Sequence, residues 1–431
     1  LRSSSVQLEK LGLEAVTSDL KTSSWSNYAI IQFAFSVNAG NLLIPALAVL
    51  EGHMTWPIAF LSVLSGALLA FLFVSLMSHP GAVYGFPAQY VIRSLIGQWL
   101  TRKIASPVRT ITSLYWFGVQ TIGGAYIIQQ AATMYDVTIP FVPVGLVLAT
   151  IMAILALIGY DAIKKVTRTL FPLLILSQIV MIYLLVNRIS EMDVSPSSSF
   201  SFGHFLMFSS LAFVQYVSGV SASSDMTRYA KTPKHGAFGM YIGNAIGYVI
   251  VAFIGTLSAA IFQTTNVYAA LGNELSRLPG LLLLFSGILA MISINVGNAY
   301  TGGYSLLNTF SKLTRIQSAM IFGLAGIVIS CFPQFSEYAS TYIGYIGAGV
   351  VPLSAIIVVD YVWILQMKIS TLRWEEVFRG GFQWNGHAFW CFFFGTILYL
   401  LIPNEAAPGF ISFSLTGIVY FLLHRRNARI V

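Results

Sequence analysis

Charge is scarce in this 431-residue chain: only 9% of its residues are Asp, Glu, Lys or Arg, against 56% that are hydrophobic. A water-soluble fold of this size would be left without a polar surface, so water is excluded as its main solvent. Cysteine is nearly absent. Cys331 and Cys391 both lie inside apolar runs with no paired spacing, which excludes a disulfide scaffold or thiolate metal site and leaves both expected free. A phosphate-cradling P-loop, an HExxH zinc helix and a GxSxG elbow are all missing, and His53, His79, His204, His235, His387 and His424 fall near the ends of apolar runs. These absences argue against an enzyme, and no metal or cofactor is expected. No soluble domain is visible either. The longest polar stretches are the N-terminal arm, a Ser-rich loop around Ser195 to Ser201, and the loop from Lys368 to Gly386. The first 25 residues carry no basic-then-apolar leader pattern and read as a short amphipathic cytoplasmic segment, so no cleaved signal is expected.

What the chain does have is a series of apolar stretches of roughly 18 to 28 residues, long enough to cross a ~30 Å hydrocarbon core as helices and unlike the ten-residue alternation of a membrane barrel. The expected fold is therefore an all-α polytopic membrane protein of about twelve spans, near 27–50, 54–78, 106–134, 140–159, 166–187, 205–225, 237–263, 279–301, 317–333, 339–365, 386–403 and 408–424. Basic residues near helix ends are retained on the cytoplasmic face, which tests this segmentation. It places 21 of the 23 Lys and Arg residues on one side, among them Arg93, Arg102, Lys103 and Arg109 between the second and third spans, and leaves only Arg188 and Arg277 opposite. Both termini are thus expected in the cytoplasm, from an inner or plasma membrane. Topology also accounts for the net charge of +8, so no nucleic-acid partner is expected.

Two spans are interrupted in mid-membrane by small and polar residues: the first by Ser36-Val37-Asn38-Ala39-Gly40-Asn41, the sixth by Ser218-Gly219-Val220-Ser221-Ala222-Ser223-Ser224. Small residues also serve close helix packing. Two amides inside an apolar span need partners that lipid does not offer, however, and interruptions at matching positions of two inverted halves point to a transport site at the bilayer midplane. The halves would be spans 1–5 and 6–10, an odd-length unit that re-enters the membrane inverted. In span three, Trp116 and Gln120 are four apart and share a helix face, offering a stacking plane and a hydrogen-bonding edge to a flat heterocycle. Tyr216 in span six could form the opposite wall. Asn295 and Asn298 in span eight are three apart and can face one cavity, and Asn38 is a further candidate for substrate contact. Asp225 and Arg228 are expected to fix or gate the inner end of span six, and Asp360 to be structural with a proton-relay reading still open.

The strings Tyr84-Gly85-Phe86-Pro87, Arg93-Ser94-Leu95-Ile96-Gly97, Trp116-Phe117-Gly118 and Ser224-Asp225-Met226-Thr227-Arg228-Tyr229 resemble the nucleobase:cation symporter-1 family of cytosine, purine, allantoin and hydantoin permeases, from about Trp25 to Asp360. The resemblance implies a 5+5 inverted-repeat core like that of the sodium-coupled amino-acid transporters plus two extra helices, working by alternating access. The corresponding divisions are an arm over 1–26, a core over 27–365 made of 27–187 and 205–365, and a remainder over 366–431. It further implies that Trp116 and Tyr216 stack on substrate, that Gln120 matches an amide found in some members, and that Asn298 or Asn295 is the span-eight substrate amide. A cation site would draw on Ala39, Asn41 and Ser293. Here the chain departs from sodium-coupled members, because Ser293-Ile294 keeps one hydroxyl of an expected pair and leaves a poorer oxygen cage. The coupling ion is left as H⁺ or Na⁺. The expected function is import of a nucleobase or similar planar ring by a monomer, the alternatives being an uncoupled facilitative pore or a symporter of another ring such as a pyridoxine-like vitamin.

Overall fold

A computed structural model describes residues 13–157, 160–191 and 201–427, and among these the regular structure is helical apart from one isolated bridge between Ser23 and Ala230. Arg2, Lys10, the Ser-rich loop from Ser195 to Ser199 and Arg429 lie outside the described residues.

Among the described residues, twelve helical units follow the apolar runs. The first is α1 (Trp25–Ser36) with α2 (Ala39–Leu50), bent by 56° at the polar interruption. The second is α3 (Trp56–Leu76), extended by α4 (His79–Tyr84). Then α5 (Ala88–Ile96) and the single turn α6 (Gln98–Leu100) lead to the third, α7 (Ser106–Thr133). The fourth and fifth are α8 (Phe141–Ala156) and α9 (Tyr160–Arg188). The sixth is broken like the first: α10 (Phe202–Val217), a 3₁₀ turn over Ser218–Ser221, and α11 (Ser223–Thr227). The seventh is α12 (Pro233–Phe262), and a short α13 (Val267–Asn273) precedes the eighth, α14 (Arg277–Thr309). After the ninth, α15 (Arg315–Ile329), a turn α16 (Gln334–Glu337) opens the tenth, α17 (Ala339–Val359). The loop helix α18 (Thr371–Phe378) leads to the last two, α19 (Gly386–Leu401) and α20 (Pro408–Asn427). Five of these helices, and the bent first pair taken together, are long and apolar enough to cross a membrane by themselves. At 28 residues α7 has the length but is too rich in Ser, Thr and Gln to join them, and that polarity marks it as site-bearing.

The packing repeats under a shift of five spans. The first span lies on the seventh (α1 on α12) and the sixth on the second (α10 on α3). The first contacts the fifth (α1 on α9), and the sixth contacts the tenth (α10 on α17). The third pairs with the eighth (α7 on α14) and the fourth with the ninth (α8 on α15), pairs that map onto themselves. The eleventh and twelfth pack on each other and on α17, outside this pattern. Both broken spans therefore occupy equivalent places and meet in the centre.

Candidate functional site

A helix interrupted in lipid exposes carbonyl and amide groups that water cannot satisfy, so each break must carry its own partners. At the first, Asn38 adopts extended backbone and caps α2, its Oδ1 accepting from the Asn41 amide at 3.0 Å while its Nδ2 donates to the Phe35 carbonyl at 2.6 Å. Asn41 Nδ2 donates to the carbonyls of Phe35 and Ser36, both at 3.0 Å, and Asn41 Oδ1 accepts from Gln215 Nε2 at 3.0 Å, joining the first break to the sixth span. At the sixth, serine hydroxyls act within the turn, Ser218 Oγ donating to the Gln215 carbonyl at 2.9 Å and Ser221 Oγ to the Ser218 carbonyl at 3.0 Å, while Gln89 Nε2 donates to the Ser221 carbonyl at 2.9 Å and Ser354 Oγ to the Val217 carbonyl at 3.2 Å. Beyond this turn α11 is fastened to the segment around α4. Ser224 Oγ donates to the Met77 carbonyl at 2.9 Å, Thr227 Oγ1 to the Ser78 carbonyl at 2.8 Å, and Asp225 Oδ1 accepts from the Ala88 amide at 2.8 Å. Asp225 is thus an anchor for backbone, and Arg228 donates to the Tyr304 hydroxyl at 2.7 Å.

Between the breaks lies a cavity of about 150 Å³, the size of an engineered cavity that accepts benzene. Trp116 and Gln120 line it from α7, Tyr216 and Gln215 from α10, Asn298 and Thr301 from α14, and Phe35 and Asn41 from the first break. The Tyr216 ring is braced edge-on by Phe71 at 4.7 Å and Tyr248 at 4.9 Å, and Trp116 by Tyr115 at 5.2 Å. Gly40 lies against the Gln120 carboxamide: a Cβ there would stand 2.6 Å from Oε1, so only glycine admits that side chain. Several lining groups are buried with no hydrogen-bond partner among the described residues, namely Gln120 Oε1, Gln215 Oε1, the Tyr216 hydroxyl and Ser223 Oγ. Orphaned buried polar atoms are costly, and four of them on residues that line one aromatic-walled cavity suit a polar ring that supplies partners as those side chains turn to meet it.

The structure corrects the sequence reading at several places. Asn38 is fully buried at the break, where its amide serves as cap and carbonyl partner, and it does not line the cavity. Of the span-eight pair, Asn298 lines the cavity while Asn295 turns toward α7, donating to the Phe117 carbonyl at 2.9 Å and accepting from Asn298 Nδ2 at 3.1 Å. A three-residue step leaves two side chains about 60° apart around a helix, so the pair share a face and can bond each other while only one borders the cavity. Among the cation candidates, Ser293 Oγ is buried without a partner among the described residues, Asn41 has its amide engaged, and the Ala39 side chain lies near Gly123. Arg109, read as a basic residue of the connection between spans, instead sits one turn inside α7 and lines the cavity. Gln32, Gln215, Asn244 and Thr301 also line it and were not singled out. Each is a polar residue in an apolar span, which is the signal that could have found them.

Residues 15–422 match the family model described as permease for cytosine/purines, uracil, thiamine, allantoin. The chain is 22% identical over 348 residues to the allantoin permease of Bacillus subtilis strain 168, covering 72% of this chain and 69% of that protein. It is 21% identical over 309 residues to the cytosine permease of Escherichia coli K12, covering 70% of each. Its fold superposes on Mhp1, a nucleobase-cation-symport-1 family transporter solved in a closed conformation with bromovinylhydantoin bound, with a TM-score of 0.80, 16% identity, and coverage of 99% of this chain and 97% of that one. The expected twelve-helix inverted-repeat transporter fold is thus the one found. With a family match across nearly its whole length, the chain belongs to the permeases for cytosine, purines, uracil, thiamine and allantoin, and is a transporter rather than an enzyme.

Proposed function

We infer that the protein is a cation-coupled symporter that imports one small planar heterocycle of the nucleobase kind by alternating access. The observation that carries this reading is the single-ring cavity where both broken spans meet, with Trp116 and Tyr216 in its walls and unpartnered amide oxygens of Gln120 and Gln215 at its edges. In this reading Trp116 stacks on the ring, Tyr216 closes the other side, and Gln120 and Asn298 read its edge. The named substrates of the relatives, allantoin and cytosine, are rings of the right size. The repeat units are 27–187 and 205–365, with 366–431 outside them and both termini cytoplasmic. The coupling ion takes its oxygens near Ser293 and the first break, where Asn38 and Asn41 already engage the carbonyls of Phe35 and Ser36. That arrangement weakens the case for Na⁺ and favours testing H⁺ beside it.

Uptake of radiolabelled uracil, cytosine, hypoxanthine and allantoin into proteoliposomes, under imposed Na⁺ or H⁺ gradients, is expected to overshoot equilibrium with one ion. Uptake that only ever equilibrates would leave a facilitative pore. For the site itself, Trp116→Ala is expected to lower affinity about ten- to a hundred-fold, or ~1–3 kcal/mol, by loss of stacking. Trp116→Phe should cost less. Gln129→Leu is expected to do little, because its amide donates to the Ile139 carbonyl at the other end of α7.

A further inference from the structure

Among the described residues the cavity has one charged lining residue, and it is basic. Arg109 is 7% exposed. Its Nη1 donates to the Ser218 carbonyl and its Nη2 to the Thr301 hydroxyl, both at 3.1 Å, while its Nε is buried without any partner among the described residues. Among those residues no carboxylate lies within ion-pair distance of it. A guanidinium does not shed its proton, so this is a permanent buried cation whose hydrogen bonds go to neutral acceptors, and the buried Asp225 carboxylate, which acts on it from beyond ion-pair distance, offsets its desolvation only in part. The remedy is an anion that the fork of N–H donors can grip. Arg109 precedes Trp116 by seven residues, two turns of α7, so guanidinium and stacking indole share a face of the helix.

Resting on the planar-ring reading above, the geometry points to a substrate that is a monoanionic ring, a heterocycle bearing a carboxylate or an equally acidic group, held by Arg109 at one edge while Trp116 takes its face. Gln120 and Gln215 offer their carboxamides to ring N–H groups, and the carboxylate takes the N–H donors that the Arg109 guanidinium has left beside those given to Ser218 and Thr301. A neutral ring of the same shape adds no charge to what Asp225 supplies from a distance and so binds more weakly.

The test compares matched probes on the purified full chain: uracil against uracil-6-carboxylate, and nicotinamide against nicotinate. Wild type is expected to bind the anionic member of at least one pair ten-fold or more tightly than the neutral one. Arg109→Gln should bring that ratio near one, and Arg109→Lys, which keeps the charge but loses the fork, should restore part of it. If Arg109→Gln does not fold, the wild-type ratio and the Arg109→Lys variant decide. Neutral rings bound as tightly as or more tightly than their anions by wild type would overturn this inference and leave the planar-ring reading intact. Folded protein that binds rings of neither charge would overturn both.

Discussion

The two broken spans occupy equivalent positions but are joined by different chemistry. At the first, two carboxamides reach over a two-residue gap, and one of them, Asn41, extends to the other break through Gln215. At the sixth, the gap is a longer 3₁₀ turn held by hydroxyls bonding three residues back, and its inner half, α11, is docked on the end of span two. An amide spans distance and ties separate elements together, whereas a serine hydroxyl in a helix end satisfies only its own turn. The first break is thus a joint made by its own amides, and the sixth is a bend whose Val217, Ser218 and Ser221 carbonyls are capped from other elements by Ser354, Arg109 and Gln89.

The comparison can be broken most severely at Asn41. Asn41→Ala removes three hydrogen bonds at once, leaving the Phe35 and Ser36 carbonyls to Asn38 alone and Gln215 Nε2 orphaned at a cost of about 1–3 kcal/mol, and it should give the largest fall in melting temperature of any single change at either break. A smaller effect, on binding rather than stability, is expected from Gly40→Ala. The new methyl displaces the Gln120 carboxamide, so affinity should fall about ten-fold, ~1.4 kcal/mol, with little change in melting. Its counterpart at the other break, Gly219→Ala, meets the two Val74 methyls at 3.0 and 3.2 Å and should change affinity less. The smallest effect belongs to Ser221→Ala, which removes one hydroxyl bond worth about 0.5–1.5 kcal/mol. A melting loss for Ser221→Ala equal to that of Asn41→Ala would erase the distinction between joint and bend.

Most of the fold was legible because lipid enforces a simple code, in which an apolar run long enough to cross must be helical and an amide in mid-run must have a reason. That code located the twelve units and both breaks. It could not divide Asn295 from Asn298, whose assignment depends on whether α7 or the cavity lies beyond each side chain, nor could it show that Asn38 is used up in capping. Arg109 was misread for a different reason. Near a helix end a basic residue carries a topological message, and that message concealed a second one in its seven-residue spacing from Trp116. Gln215, beside Tyr216, was passed over although its amide contacts the first break.

The packing of span one on span seven and span six on span two sets the order in which the molecule can be completed. Ser36 and Asn244, whose side chains face each other across that first contact at 3.5 Å, are separated by 208 residues of chain, and at roughly 5–20 residues per second a ribosome needs about 10–40 s to deliver the second after the first. Through that interval the early spans wait in the bilayer with Asn41 lacking Gln215 and α1 lacking its α12 surface. The two halves interlock like clasped hands, so neither is a finished object when it is made, and the polar break that later joins the site is during synthesis an open wound in an otherwise apolar helix.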